Sequence, residues 1–155
     1  IEGGGVHLIR VTDNGQGIVK DDLHLAFARH ATSKITTVQD LGAIATLGFR
    51  GEALASVASV SRCRLMSKAL HETSAWQIQL ASDMTPAILP VAHAQGTTIE
   101  IADLFYNTPV RRKFIRSEKS EFQAIDDTVK RLALSYPAVS FRLKHQGKQL
   151  RHYPG

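Results

Sequence analysis

Cysteine is almost absent from this chain: Cys63 stands alone among 155 residues. One thiol cannot close an internal disulfide, and no Cys/His cluster has structural-zinc spacing, so a reducing, cytosolic setting is expected and no metal site is assigned. His24 and His30 stand by themselves and read as ordinary residues. Long apolar runs are missing too. No segment approaches the roughly 20 apolar residues of a membrane span, and no basic region leads into an apolar stretch at the N-terminus, so no membrane partner is expected. Internal repeats and low-complexity tracts are also lacking, which leaves an ordinary globular chain. At 155 residues it suits one domain that buries roughly 68–70% of its unfolded surface.

Charge is present but unevenly placed. Residues 1–103 hold eight Lys and Arg against ten Asp and Glu, a balance of −2, whereas residues 104–155 hold eleven against four, a balance of +7. The basic half suits an anionic partner such as nucleic acid, or simply a solvated face.

Periodicity outlines the elements. Val6, Leu8, Ile9 and Val11 form a β-prone run that stops at a turn from Asp13 to Gly17, and Asp21 and Asp22 open a helical pattern through Phe27. From Arg62 the period becomes two, through Cys63 and Leu65, then Trp76, Ile78 and Leu80, then GTTIEI at 96–101; these predict antiparallel strands of one sheet. Thr108 before Pro109 predicts a helix start with a hydroxyl cap. Phe122, Ile125, Val129 and Leu132 recur at helical spacing, and the last residues predict a hairpin around QGK. The economical fold class is α/β, one layer of helices on one sheet.

Two glycine sites carry the candidate chemistry. In VTDNGQGI, Asp13 can accept from the exocyclic amino group of a purine, while Gly15 and Gly17 let the backbone approach a flat base; a plain glycine turn is the alternative. A Rossmann turn is disfavoured, since Lys20 occupies the third glycine position and TSKITT stands where the ribose-binding acid is needed. No GxxxxGK[ST] phosphate loop occurs. In GFRGEAL, 48–54, glycines, Arg50 and a helix beginning at Glu52 bring amides and a guanidinium to one place, which suits phosphate oxygens or, alternatively, a flexible connector. Lys34 in RHATSK could reach a terminal phosphate from a lid. Thr97 and Thr98 put two hydroxyls at a strand entry, where they could bond a base or a water beside Asp13; a plain strand entry is the alternative.

DNGQGI, RHATSKI, GFRGEAL, GTTIEI and DLFYNTPVRRKF, in that order, resemble the MutL family of DNA mismatch-repair ATPases, a branch of the GHKL group that includes gyrase B subunits and histidine kinases. The resemblance covers nearly the whole chain. It implies a Bergerat-type α/β sandwich with a mixed, mostly antiparallel sheet and ATP beneath a lid. By that likeness Asp13 takes the adenine amino group, Gly15 and Gly17 admit the base, and Thr98 supports it. Lys34, Gly48, Phe49, Arg50 and Gly51, with the amides of Glu52, Ala53 and Leu54, form the lid and phosphate cradle. The implied cofactors are ATP and magnesium. The implied partners are DNA, a mismatch-recognition protein, downstream repair enzymes and a second copy of the same chain, in the bacterial cytosol or nucleoid.

The chain departs from the family's pattern at its start. The family's first motif, a helix with a glutamate that activates water and an asparagine that holds magnesium, has no counterpart here, so no catalytic residue is assigned. The expectation is a fragment lacking its first helix and strand, with exposed apolar surface and a tendency to associate. A second reading is a non-catalytic DNA-backbone module in which Arg111, Arg112, Lys113 and Arg116 contact phosphates, with salt-dependent affinity.

Overall fold

The β-prone residues after His7 extend as strand β1 (Leu8–Thr12), preceded by a 3-10 turn at Gly3–Gly5. The structure, a computed structural model, describes residues 1–28, 52–80 and 86–155. Val6 falls in the turn rather than the strand. The Asp21–Phe27 pattern folds as a 3-10 helix, Lys20–Phe27, whose three-residue turn stacks Leu23 and Ala26 on one face. Helix α1 is Ala53–Ala58, built from small residues. Strands β2 (Arg62–Lys68), β3 (Ala75–Leu80), β4 (Pro86–Val91) and β5 (Gly96–Ala102) follow. Helix α2 is the short Pro109–Arg112, helix α3 runs Glu118–Ser135, and β6 (Phe141–His145) pairs with β7 (Lys148–Tyr153).

The larger sheet has the order β1-β5-β2-β3-β4, and β2/β3 and β3/β4 are antiparallel. Strand β4 was not expected, because Pro86 and Pro90 break a strand pattern. It lies at the sheet edge, where a missing N–H costs no ladder bond.

Two compact units divide the chain: Val11–Ile101, and Ile1–Arg10 with Ala102–Gly155. In the first, period-two alternation turns Cys63, Leu65 and Ser67 of β2 inward while Arg64 and Met66 face the other way. Leu65 and Ile78 then meet Leu23 from the 3-10 helix, with Leu54 of α1, Trp76, Ile88 and Ile99 packed around them. Leu23 and Ile78 are wholly buried. On the opposite sheet face Arg64 clamps Glu100 through Nε and Nη2 at 2.8 and 2.6 Å.

In the second unit, Ser117 caps α3 by accepting from Ser120 N–H, and Glu121 reaches back to the Arg116 N–H at 3.0 Å. The helix lays Phe122, Ile125, Val129 and Leu132 along one stripe, yet all four are only half-buried. Its one buried residue is Asp126, held in a fork by Arg151 at 3.0 and 2.8 Å. The closing hairpin turns at Gln146 and Gly147, both with positive φ, as two-residue connections require.

Candidate functional site

Asp13 lies just beyond β1, and its backbone N–H donates to Thr97 O at 2.8 Å. Its Oδ1 accepts from Gly15 N–H at 2.9 Å and from Thr97 N–H at 3.2 Å. Two backbone donors thus fix the carboxylate, an Asx turn whose far arm belongs to β5. Oδ2 has no partner among the described residues and is open to a donor from outside. The turn is tied down further by Gln95 Nε2, which donates to Gly15 O.

The three glycines here act differently. A Cβ at Gly15 would meet only Asp13, with Oδ1 at 3.1 Å, so this position keeps space open. At Gly17 (φ +72°) a Cβ would lie 2.1 Å from Lys68 O, and at Gly96 (φ +115°) 2.1 Å from Asp13 O. Gly17 is therefore demanded by the close passage of β2, an intramolecular reason beside the one inferred from the sequence.

Behind the turn sits Ser67, fully buried. Its Oγ donates to Gly96 O at 3.0 Å, accepts from Ile18 N–H at 2.8 Å and lies 2.9 Å from Thr97 Oγ1. The hydroxyl on the Asp13 side is thus that of Thr97. The sequence offered both Thr97 and Thr98 and the family likeness pointed to Thr98, but successive strand residues face opposite ways. Thr98 Oγ1 instead bonds Thr12 Oγ1 at 2.9 Å and His93 Nε2 at 2.8 Å, on the face that carries Arg64 and Glu100. Ser67 was not singled out from the sequence, whereas Thr97 was noted there with Thr98 as a strand-entry hydroxyl. Counting by twos from Cys63 would have placed Ser67 on the inner face, and counting back from Ile99 would have placed Thr97 there.

At the start of α1 the first intrahelical acceptor is Glu52 O, which takes Ser56 N–H at 2.9 Å, and Glu52 supplies no side-chain cap. The amides of Ala53 and Leu54 in this first turn have no helical carbonyl to bond. Glu52 and Ala53 are exposed and Leu54 is half-buried. Lys34, Gly48, Phe49, Arg50 and Gly51 lie outside the described residues. Among the described residues, no three His, Cys, Asp or Glu side chains gather where they could hold a metal ion, and no helix is long and apolar enough to cross a membrane.

In the other unit, Arg111, Arg112, Lys113 and Arg116 are all exposed on and after α2. Arg116 approaches Glu121 at 3.6 Å; the other three have no ion-pair partner among the described residues. Thr108 precedes α2 as expected but makes no cap, because its Oγ1 is buried without a partner and only its carbonyl enters the helix, accepting from Arg112 N–H. Phe114, beside these cations, is 81% exposed. Cys63 is buried, which pushes its thiol pKa up, against a smaller opposing pull from the Ser61 hydrogen bond. It is an inert interior thiol.

No family model matches the chain. Among curated proteins it is 56% identical over 154 residues to the DNA mismatch repair protein MutL of Mannheimia succiniciproducens and 57% identical to that of Proteus mirabilis, each match covering 99% of this chain. The chain spans about a quarter of the length of these relatives, 24% and 23%. Among solved structures it resembles the Aquifex aeolicus MutL ATPase domain complexed with ADP, with TM-score 0.76 and 30% identity over 99% of this chain and 53% of that one. The ATPase domain of the bacterial mismatch repair endonuclease Aquifex aeolicus MutL, at TM-score 0.68 and 30% identity, covers 92% of this chain and 48% of the other. With its five motifs in family order and the α/β fold of these ATPase domains, the chain belongs to the MutL family.

Proposed function

We propose that this chain carries the adenine-binding turn and part of the phosphate-binding surface of a mismatch-repair ATPase. The observation that carries the reading is Asp13: one carboxylate oxygen fixed by two backbone N–H groups, the other open, beside the uncrowded Gly15. A pre-positioned acceptor next to a stretch of bare backbone fits the amino edge of adenine. The similarity to a MutL ATPase domain complexed with ADP supports it. In this reading Lys34 and Gly48 to Gly51 close over the triphosphate, and the amides of Glu52, Ala53 and Leu54 bond its oxygens. Magnesium, when bound with the nucleotide, would neutralise part of the phosphate charge, and none of the described residues is assigned to hold it. Glu100 is not a candidate base, being locked to Arg64 on the other sheet face. Calorimetric titration with ATP and magnesium tests the site. Asp13→Ala is expected to weaken binding at least about tenfold, as for loss of one charged hydrogen bond; unchanged affinity would remove Asp13 from the site.

Binding of ATP would couple to dimerisation, to DNA and to the recognition and processing proteins of mismatch repair, in the cytosol or nucleoid. DNA contact is favoured by three exposed cations, Arg111, Arg112 and Lys113, that lack a protein counter-ion among the described residues. Such contacts are sequence-independent, and each phosphate neutralised steepens the fall of log affinity with log salt by about 0.9. Replacing all three by Ala is expected to flatten that slope by between two and three; an unaltered slope would exclude them.

A further inference from the structure

Ser67 has one proton and a fixed use for it. Gly96 O, a carbonyl, can only accept, so the 3.0 Å contact takes the Ser67 proton. Ile18 N–H can only donate, and it occupies one lone pair of Ser67 Oγ at 2.8 Å. The remaining contact, to Thr97 Oγ1 at 2.9 Å, must then run from Thr97 to Ser67. Thr97 thereby has no proton left for anything else. Thr97 is half-buried, and with its proton committed to Ser67 its hydroxyl presents lone pairs only. The neighbouring Asp13 likewise presents an acceptor, through Oδ2, because Oδ1 is held by Gly15 and Thr97 N–H.

We infer that Ser67 is a positioning residue for base specificity: it fixes the Thr97 hydroxyl as an acceptor, so that the turn around Asp13 selects a 6-aminopurine over a 6-oxopurine. The inference rests on the nucleotide reading above and deepens it. An amino group at C6 offers a donor to these acceptors, directly or through one water. A carbonyl at C6 sets lone pairs against lone pairs and leaves acceptors that the bound base has cut off from water unpaired, the situation in which hydrogen-bonding sites discriminate most strongly. In Ser67→Ala the Thr97 proton is released to turn toward the ligand, and the site can then accommodate either group.

The experiment compares ATP with inosine triphosphate, each with magnesium, by calorimetry on the unaltered protein and on Ser67→Ala, Thr97→Val and Thr97→Ser. The unaltered protein is expected to prefer ATP by at least about tenfold, Ser67→Ala and Thr97→Val to narrow that ratio by roughly three- to tenfold, and Thr97→Ser to retain it. A folded Ser67→Ala that weakens both nucleotides equally, with its ratio unchanged, would overturn the inference while leaving ATP binding intact. Ser67→Ala strands the Ile18 N–H and can lose its fold; in that case Thr97→Val, which leaves both backbone bonds of Ser67 in place, decides, and an unchanged ratio there overturns it equally. Failure of the unaltered protein to bind ATP would instead remove the nucleotide reading, and this inference with it.

Discussion

The two compact units bury their apolar side chains to different degrees. In Val11–Ile101 the core residues Leu23, Leu65 and Ile78 are at most 2% exposed, and even the polar Ser67 is sealed among two backbone partners and the Thr97 hydroxyl. In the unit formed by Ile1–Arg10 and Ala102–Gly155, the apolar stripe of α3 is half-buried, while Phe114, Leu134 and Val110 stand largely in solvent. Its buried groups are few: Leu143, the Gly4 and Gly5 backbone, and Asp126 held by Arg151. One unit holds its residues by dry packing around a turn; the other presents an amphipathic helix and a row of cations on a thin core. The former suits a site whose atoms must stay within tenths of an ångström, the latter a surface that meets something large.

The sharpest way to break this contrast is at Gly96. Gly96→Ala forces a side chain into positive φ and toward the Asp13 carbonyl, and a loss of about 3 kcal/mol or more is expected in urea unfolding. A neutral result would mean the Asp13 turn is not held by β5. Next comes a direct pair. Ile78→Ala, in the dry core, is expected to cost about 2–5 kcal/mol, and the same change at half-buried Ile125 less than about 2. Equal costs would erase the distinction drawn between the units. Ser117→Ala removes the α3 cap and should cost about 1 kcal/mol. The smallest effect is a pH dependence from Cys63. Because burial raises its thiol pKa, the folded chain keeps a proton that the unfolded chain releases. The stabilisation is full below the unfolded thiol pKa, near about 8.5, and is lost as pH rises through the higher folded value. Melts from pH 7 to 10 should show this decline in the natural chain and a shallower one in Cys63→Ala.

Much of the architecture was legible in the sequence, because alternation around Cys63, Leu65 and Ile78 and the spacing of Phe122, Ile125 and Val129 are local signals. The hairpin at Gln146 and Gly147 was legible for the same reason. Strand β4 was hidden, since its prolines are tolerated only by an edge position that the sequence does not reveal. The Asp13 turn and the threonines beside it were also visible, but the serine behind them was not. Ser67 looks like any small residue in a strand, and its importance comes from Gly96, Ile18 and Thr97 converging on it from three separate segments. The choice between Thr97 and Thr98 turned on one residue of register, which fixes the face of every neighbour. Thr108 was misjudged as a cap because hydroxyl preference is statistical, while its actual rotamer points the oxygen into a buried place with no amide to meet.

The bonds that hold the Asp13 turn span long stretches of chain: Ile18 to Ser67 across 49 residues, and Asp13 to Thr97 across 84. During synthesis the ribosome releases Asp13 long before Thr97. Until Gly96 and Thr97 emerge, the first glycine turn has neither the strand that orients its carboxylate nor the serine network closed behind it. At about 5–20 residues per second, the nascent turn waits roughly 4–17 seconds for its partner. A truncated product ending before β5 would carry every residue of the DNGQGI motif and no assembled site.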